Sequence, residues 1–138
     1  MTILLLGTRD FAAAFAHLGR RRLERVIVVG TDDAGNVLDY WESPPGTDYN
    51  VLVKPSDLCQ VLSSGVTRVC LLHNHPHPSL TPSAGDVEFT RVVADMFCKL
   101  GITLVDHLII GRGGSYFSFK GAAFAGLKGA CTVNNTGV

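Results

Sequence analysis

The chain has 138 residues, 46% of them hydrophobic and 17% charged, with a formal net charge of zero. That is enough apolar content for one domain with a sizeable core, and it excludes a disordered chain. Zero net charge weighs against a partner gripped mainly through phosphates, although Arg20, Arg21, Arg22 and Arg25 form a local basic cluster, read here as a solvated face or helix end. The four cysteines include no CxxC pair, so a four-cysteine zinc ribbon is unsupported, and their apolar neighbours predict small buried residues in a reducing compartment. Met1 to Leu6 is too short and lacks the basic start of a signal peptide, and no apolar run approaches the roughly 18 residues of a membrane span. The expectation is a cytoplasmic protein.

Ile3 to Leu6 reads as a short extended segment. Asp10 offers an N-cap for a helix over Phe11 to Leu18, with Gly19 as its stop. Val26-Ile27-Val28-Val29 is continuously β-branched, as in a strand covered on both faces. Asp32 to Asn36 has turn chemistry and Val37 to Glu42 reads as a second strand, so 25–42 predicts an antiparallel hairpin. Ser43-Pro44-Pro45-Gly46 breaks the pattern. The loop from Ser43 to Asn50 is where substrate contacts are expected, with Trp41 and Tyr49 as anchors. Ser56 is a candidate cap for a short helix over Asp57 to Leu62. Arg68 to Leu72 predicts the central strand, followed by a loop stiffened by Pro76, Pro78 and Pro82. Ser83 starts a helix that runs to about Leu100, and Gly101 ends it. Ile102 to Gly111 predicts another strand, turning through 112–115 into an antiparallel partner over Tyr116 to Phe119. Residues 122–138 read as a tail that frays. No repeat or linker appears. The prediction is a single mixed α/β domain over 1–138, with 1–22 as an N-terminal extension.

The chemistry gathers at His73-Asn74-His75. In an extended chain, side chains at i and i+2 point the same way, so two imidazoles converge. Asp86 adds a hard oxygen ligand. Two histidines and a carboxylate make a three-ligand zinc site with an open fourth position, the signature of a catalytic rather than a structural zinc. Each residue alone has an ordinary reading: Ser83-x-x-Asp86 is close to a capping box, and Glu24 after three arginines is most simply a surface charge.

Taken together, Glu24, His73-x-His75 and Ser83-x-x-Asp86 resemble the JAMM motif of the JAB/MPN metalloprotease superfamily. The segments Leu72-His73-Asn74-His75-Pro76, Thr81-Pro82-Ser83 and Leu104 to Gly111 are similar to its RadC-like branch. The resemblance runs from about Glu24 to Phe119. It implies an α/β sandwich of cytidine deaminase-like type, a mixed β-sheet flanked by helices. It also implies one zinc ion per chain held by His73, His75 and Asp86. Glu24 would be the general base acting on the zinc-bound water, and Ser83 the donor that steadies the oxyanion. Asp106 and His107 lie in the other RadC-like block and are expected beside the ligands or in the pocket wall. His77 departs from the branch, where a small residue usually follows His-Asn-His-Pro, and is expected to face solvent. The implied activity is hydrolysis of a peptide or isopeptide bond, with a protein substrate of the ubiquitin-like kind. A nucleic-acid-associated RadC-like protein or a non-catalytic scaffold are the alternatives.

Overall fold

A computed structural model describes residues 3–46 and 53–122. Five strands form one mixed sheet in the order β2-β1-β3-β4-β5. They are β1 (Val26–Thr31), β2 (Val37–Glu42), β3 (Arg68–Asn74), β4 (Thr103–Ile110) and β5 (Tyr116–Ser118). β1 is antiparallel to both β2 and β3, β3 is parallel to β4, and β5 returns antiparallel along β4. The expected hairpin and the expected central strand are both present. β1 is buried at every position, and β3 at all but Arg68, which accounts for their near-continuous apolar composition.

Side-chain alternation divides the core in two. On one face Ile27, Val29, Cys70 and Leu72 pack with Leu5, Phe11 and Leu18 from the N-terminal segment. On the other, Val26, Val28, Val69 and Leu71 meet Val93 and Phe97 of the long helix α2 (Ala84–Lys99) and Leu58 and Val61 of a 3-10 helix over Pro55–Val61. The sheet is therefore a filling between two helical layers. α2 is the element that crosses between the parallel pair β3 and β4.

Several local expectations need correction. Asp10 does not cap the first helix: α1 (Thr8–Ala14) begins after Gly7, and the Asp10 carboxylate accepts from the amides of Leu6 and Gly7 at 2.9 and 3.1 Å. Its chain then tightens into a 3-10 turn over Ala16–Arg20 instead of continuing to Leu18. Ser56 is likewise inside its helix; Lys54 precedes it, and the Asp57 carboxylate accepts from the Lys54 amide at 2.9 Å. In both cases an aspartate three residues in reaches back to the helix start. Ser83 does cap α2, accepting from the Asp86 amide at 3.0 Å. Cys59 and Cys70 are free thiols, with Cys70 buried and Cys59 half-buried; Cys98 is disulfide-bonded, so the expectation of four reduced, buried cysteines does not stand. Tyr49 and the tail beyond Ala122 lie outside the described residues, whereas Trp41 packs half-buried against the α2-side core.

Gly19 is not a helix stop but a point of close approach. A Cβ built there would stand 1.9 Å from the Gly111 carbonyl oxygen, at the end of β4. Gly19→Ala is therefore expected to push the 3-10 turn off the sheet and cost about 1–3 kcal/mol. Urea unfolding of the two proteins measures it; equal midpoints would mean that the turn moves aside freely.

Candidate metal centre

The site lies where β3 ends. His73 is the sixth residue of that strand and faces α2, as Leu71 does. His75 follows just past the strand end, with the same orientation two residues on. Both are buried. Asp86 arrives from the first turn of α2, which Ser83 caps. The His73 Nε2 atom stands 3.1 Å from His75 Nε2 and 3.4 Å from Asp86 Oδ1, and His75 Nε2 stands 3.2 Å from Asp86 Oδ2. Among the described residues, this trio is one of two His/Cys/Asp/Glu groups whose ligand atoms converge.

The spacing and the chemistry of these donors fit a small divalent cation. Donors at the corners of a tetrahedron with bonds of about 2.0–2.1 Å stand ~3.3–3.4 Å apart. The Nδ1 of His75 faces the Ser79 carbonyl oxygen at 3.1 Å. A carbonyl only accepts, so Nδ1 carries the hydrogen and Nε2 presents a bare lone pair. That lone pair points at another imidazole nitrogen and at a carboxylate, and a positive charge between them satisfies all three. Without an ion, the same crowding acts on protons. Burial tends to lower the His75 pKa, but bonds to Asp86 and the Ser79 carbonyl outweigh it and raise it. Burial lowers that of His73. Burial also pushes the Asp86 carboxyl up, yet the two histidines hold it well below the usual carboxylate range.

Glu24 reaches the site from the opposite side of β3. The antiparallel register pairs Val26 with His73, and continued two residues beyond the strand end it brings Glu24 to His75. Its Oε1 lies 3.9 Å from His75 Nε2, and the residue is only 4% exposed. The surface charge that a lone glutamate after three arginines would imply is absent. Burial pushes its carboxyl up to about 7, with His75 opposing and Asp86 adding to the shift. In the metal-free protein the folded state thus holds this proton more tightly than the unfolded chain does. Stability from that source is greatest below about pH 4.5 and declines as pH rises through about 7, by on the order of 3 kcal/mol. Glu24→Gln removes the slope. Urea unfolding at pH 5 and pH 8 checks it: the variant gains on the wild type at the higher pH, and parallel profiles would contradict the assignment.

Asn74, between the two histidines, was not singled out by sequence reasoning. It is fully buried and its amide grips the segment ahead of β1. Its oxygen accepts from the Arg25 amide at 2.8 Å, and its nitrogen donates to the carbonyls of Leu23 and Arg21 at 3.1 and 3.3 Å. The three bonds bracket Glu24 and tie it to the strand that carries the histidines. Nothing in the composition of His-x-His signals this; it needs the pairing of β1 with β3.

The Asp106-His107 pair divides. Adjacent strand residues face opposite sides, and only His107 turns toward the site, with its Nε2 2.7 Å from His73 Nδ1. Asp106 points to the other face, where it accepts from Thr8 Oγ1 at 2.7 Å, from the Lys120 amide at 3.0 Å and from Ser118 Oγ. It joins α1 and β5 to β4 and touches no ligand. His77 does not simply face solvent: it is half-buried and stacks on His75 with ring centroids 4.8 Å apart. With Glu24 and His75 it forms the second, looser group of potential ligand atoms, within 4.8 Å of one another.

A mixed sheet between helical layers, with His-x-His at the end of its central strand and an acidic residue at the start of the next helix, defines the JAB class of α/β domain. Residues 7–124 match the model of the RadC-like JAB domain, and the chain belongs to that family. It is similar to the UPF0758 protein FN0909 of Fusobacterium nucleatum, at 31% identity over 119 residues, which is 84% of this chain and 51% of that protein. A UPF0758 protein of Trichormus variabilis is 35% identical over 103 residues, 74% of this chain and 42% of that one. The UPF0758 protein gbs1168 of Streptococcus agalactiae is 27% identical over 105 residues, covering 75% and 46%. The chain spans about half the length of these curated relatives. No helix among the described residues is long and apolar enough to cross a membrane.

Proposed function

We propose that this domain is a zinc-dependent hydrolase of the JAMM type that cuts a peptide or isopeptide bond. The observation that carries the reading is the meeting of two imidazole nitrogens, 3.1 Å apart, with the Asp86 carboxylate, whose two oxygens stand 3.2 and 3.4 Å from them, beside the buried Glu24 carboxyl, whose pKa is pushed up to about 7. His73, His75 and Asp86 would hold the ion. When bound, a divalent ion supplies Lewis acidity to a carbonyl oxygen and to water. The rest falls to the chain. Glu24 borders the same space and takes up or gives up a proton near neutral pH, as a general base and then a general acid must. Ser83 Oγ accepts from the Asp86 amide, which leaves its own hydrogen for an oxygen of the substrate. The substrate we favour is an extended polypeptide tail, such as the C-terminus of a ubiquitin-like protein, because a metal centre at a strand end suits a chain in extended conformation.

The test is hydrolysis of fluorogenic tail peptides and ubiquitin-like fusions by zinc-loaded protein, with and without a chelator. Cleavage that the chelator abolishes and added zinc restores supports the reading; none across both substrate classes counts against it.

One observation favours a second reading, association with nucleic acid. A surface depression of about 470 Å³ is lined by Arg20, Arg21, Arg22, Leu23 and Arg25, on both sides of Glu24 in the chain. Glu42 neutralises part of it through Arg25 at 2.8 Å and Arg21 at 3.9 Å. Tight DNA binding that weakens steeply with salt and is lost on replacing Arg20 and Arg22 would move this reading ahead.

A further inference from the structure

We propose that His107 and Thr90 are positioning residues that lock His73 into the tautomer with its hydrogen on Nδ1, and so hold a bare Nε2 toward the other ligands. The assignment follows from one fixed end. The Asp86 backbone oxygen has lone pairs and no hydrogen. Thr90, one helical turn on, places Oγ1 2.6 Å from it. The threonine has one hydrogen, and this contact takes it. Toward His107 Nδ1, also 2.6 Å away, Oγ1 is then an acceptor, so that nitrogen carries the hydrogen. His107 Nε2 is left bare and stands 2.7 Å from His73 Nδ1, which must donate. The direction of every bond is thus set from Asp86 back to His73.

The reverse direction has no consistent solution with a neutral His107, because two lone pairs would face each other at Thr90 and the Asp86 carbonyl. A doubly protonated His107 would put a cation at 1% exposure, with both nitrogens spent on neutral partners and Phe119 stacked on its ring 4.6 Å away. The circuit starts at one candidate ligand and ends on the backbone of another. It joins β3, β4 and α2, so the separation of His73 and Asp86 is held by three elements at once. His75 is oriented differently: its Nδ1 meets the backbone carbonyl of Ser79 at 3.1 Å. Neither residue acts on substrate. Their effect is on where the His73 lone pair points.

The consequence for zinc rests on the metal-centre reading above, but the tautomer does not. In metal-free protein labelled with ¹⁵N-histidine at pH 8, two-bond nitrogen–proton spectra should show His73 protonated on Nδ1. In His107→Phe, which keeps an aromatic ring against Phe119, His73 should shift toward the Nε2-protonated form. Zinc affinity by chelator competition should fall about 10–100-fold in His107→Phe and in Thr90→Val. It should return close to wild type in His107→Gln, whose amide oxygen and nitrogen can accept from His73 and donate to Thr90. Should His107→Phe not fold, Thr90→Val, nearly isosteric, decides the matter. A wild-type His73 protonated on Nε2, or unchanged tautomer and affinity in the variants that fold, overturns the lock. A wild type with the expected tautomer that takes up no zinc overturns the metal reading and leaves the lock standing.

Discussion

Glu24→Gln is expected to keep its zinc and to lose hydrolysis, with kcat falling by about 10²–10⁴. The glutamine has the same shape, and the Asn74 clamp acts on backbone atoms of residues 21, 23 and 25, so the segment should stay in place. What disappears is a group able to change its protonation near pH 7. The geometry makes the separation clean: Glu24 stands 3.9 Å from His75 Nε2, farther than the 3.1–3.4 Å contacts among His73, His75 and Asp86, so metal retention should not depend on it. Metal content by elemental analysis and single-turnover cleavage, measured on one preparation, give both halves. Retained zinc with full activity would remove Glu24 from the mechanism. Lost zinc would make it a ligand, in line with the looser Glu24-His75-His77 grouping.

Much of this centre was legible because its parts are short-range. Alternation along β3 aligns His73 with His75, and the cap at Ser83 places Asp86 in the first turn of its helix. The continuous apolar run of β1 identified a strand with both faces covered. The helix starts were misjudged because Asp10 and Asp57 sit three residues past the cap position, and an aspartate there reaches back to the amide of the capping residue instead of capping the helix itself. Thr90 sits four residues after Asp86, and helical spacing puts it on the face of α2 that carries Asp86. Asp106 could have been separated from His107 by strand alternation alone, which forbids two neighbours from facing one site. The role of Asn74 was beyond such reasoning. Its partners lie about fifty positions earlier in the chain and become neighbours only when β1 pairs with β3.

His75→Ala tests the metal directly and should have the largest effect on it. The variant loses a nitrogen that stands 3.1 Å from His73 Nε2 and 3.2 Å from Asp86 Oδ2. Two protein ligands remain, and the affinity should drop by more than the roughly 10–100-fold that follows loss of an outer hydrogen-bond partner. Wild-type protein purified without a metal-binding tag should hold about one zinc per chain, and the variant almost none, in keeping with a three-ligand catalytic site. Thermal unfolding gives a second readout that does not depend on activity. Free zinc at 100 times its Kd stabilises a folded state by about 2.7 kcal/mol, which for a domain of this size raises Tm by on the order of 10 °C. His75→Ala should show no such rise. If the variant's Tm responds to zinc as the wild type's does, the ion binds elsewhere, and the convergence of His73, His75 and Asp86 must serve the fold instead.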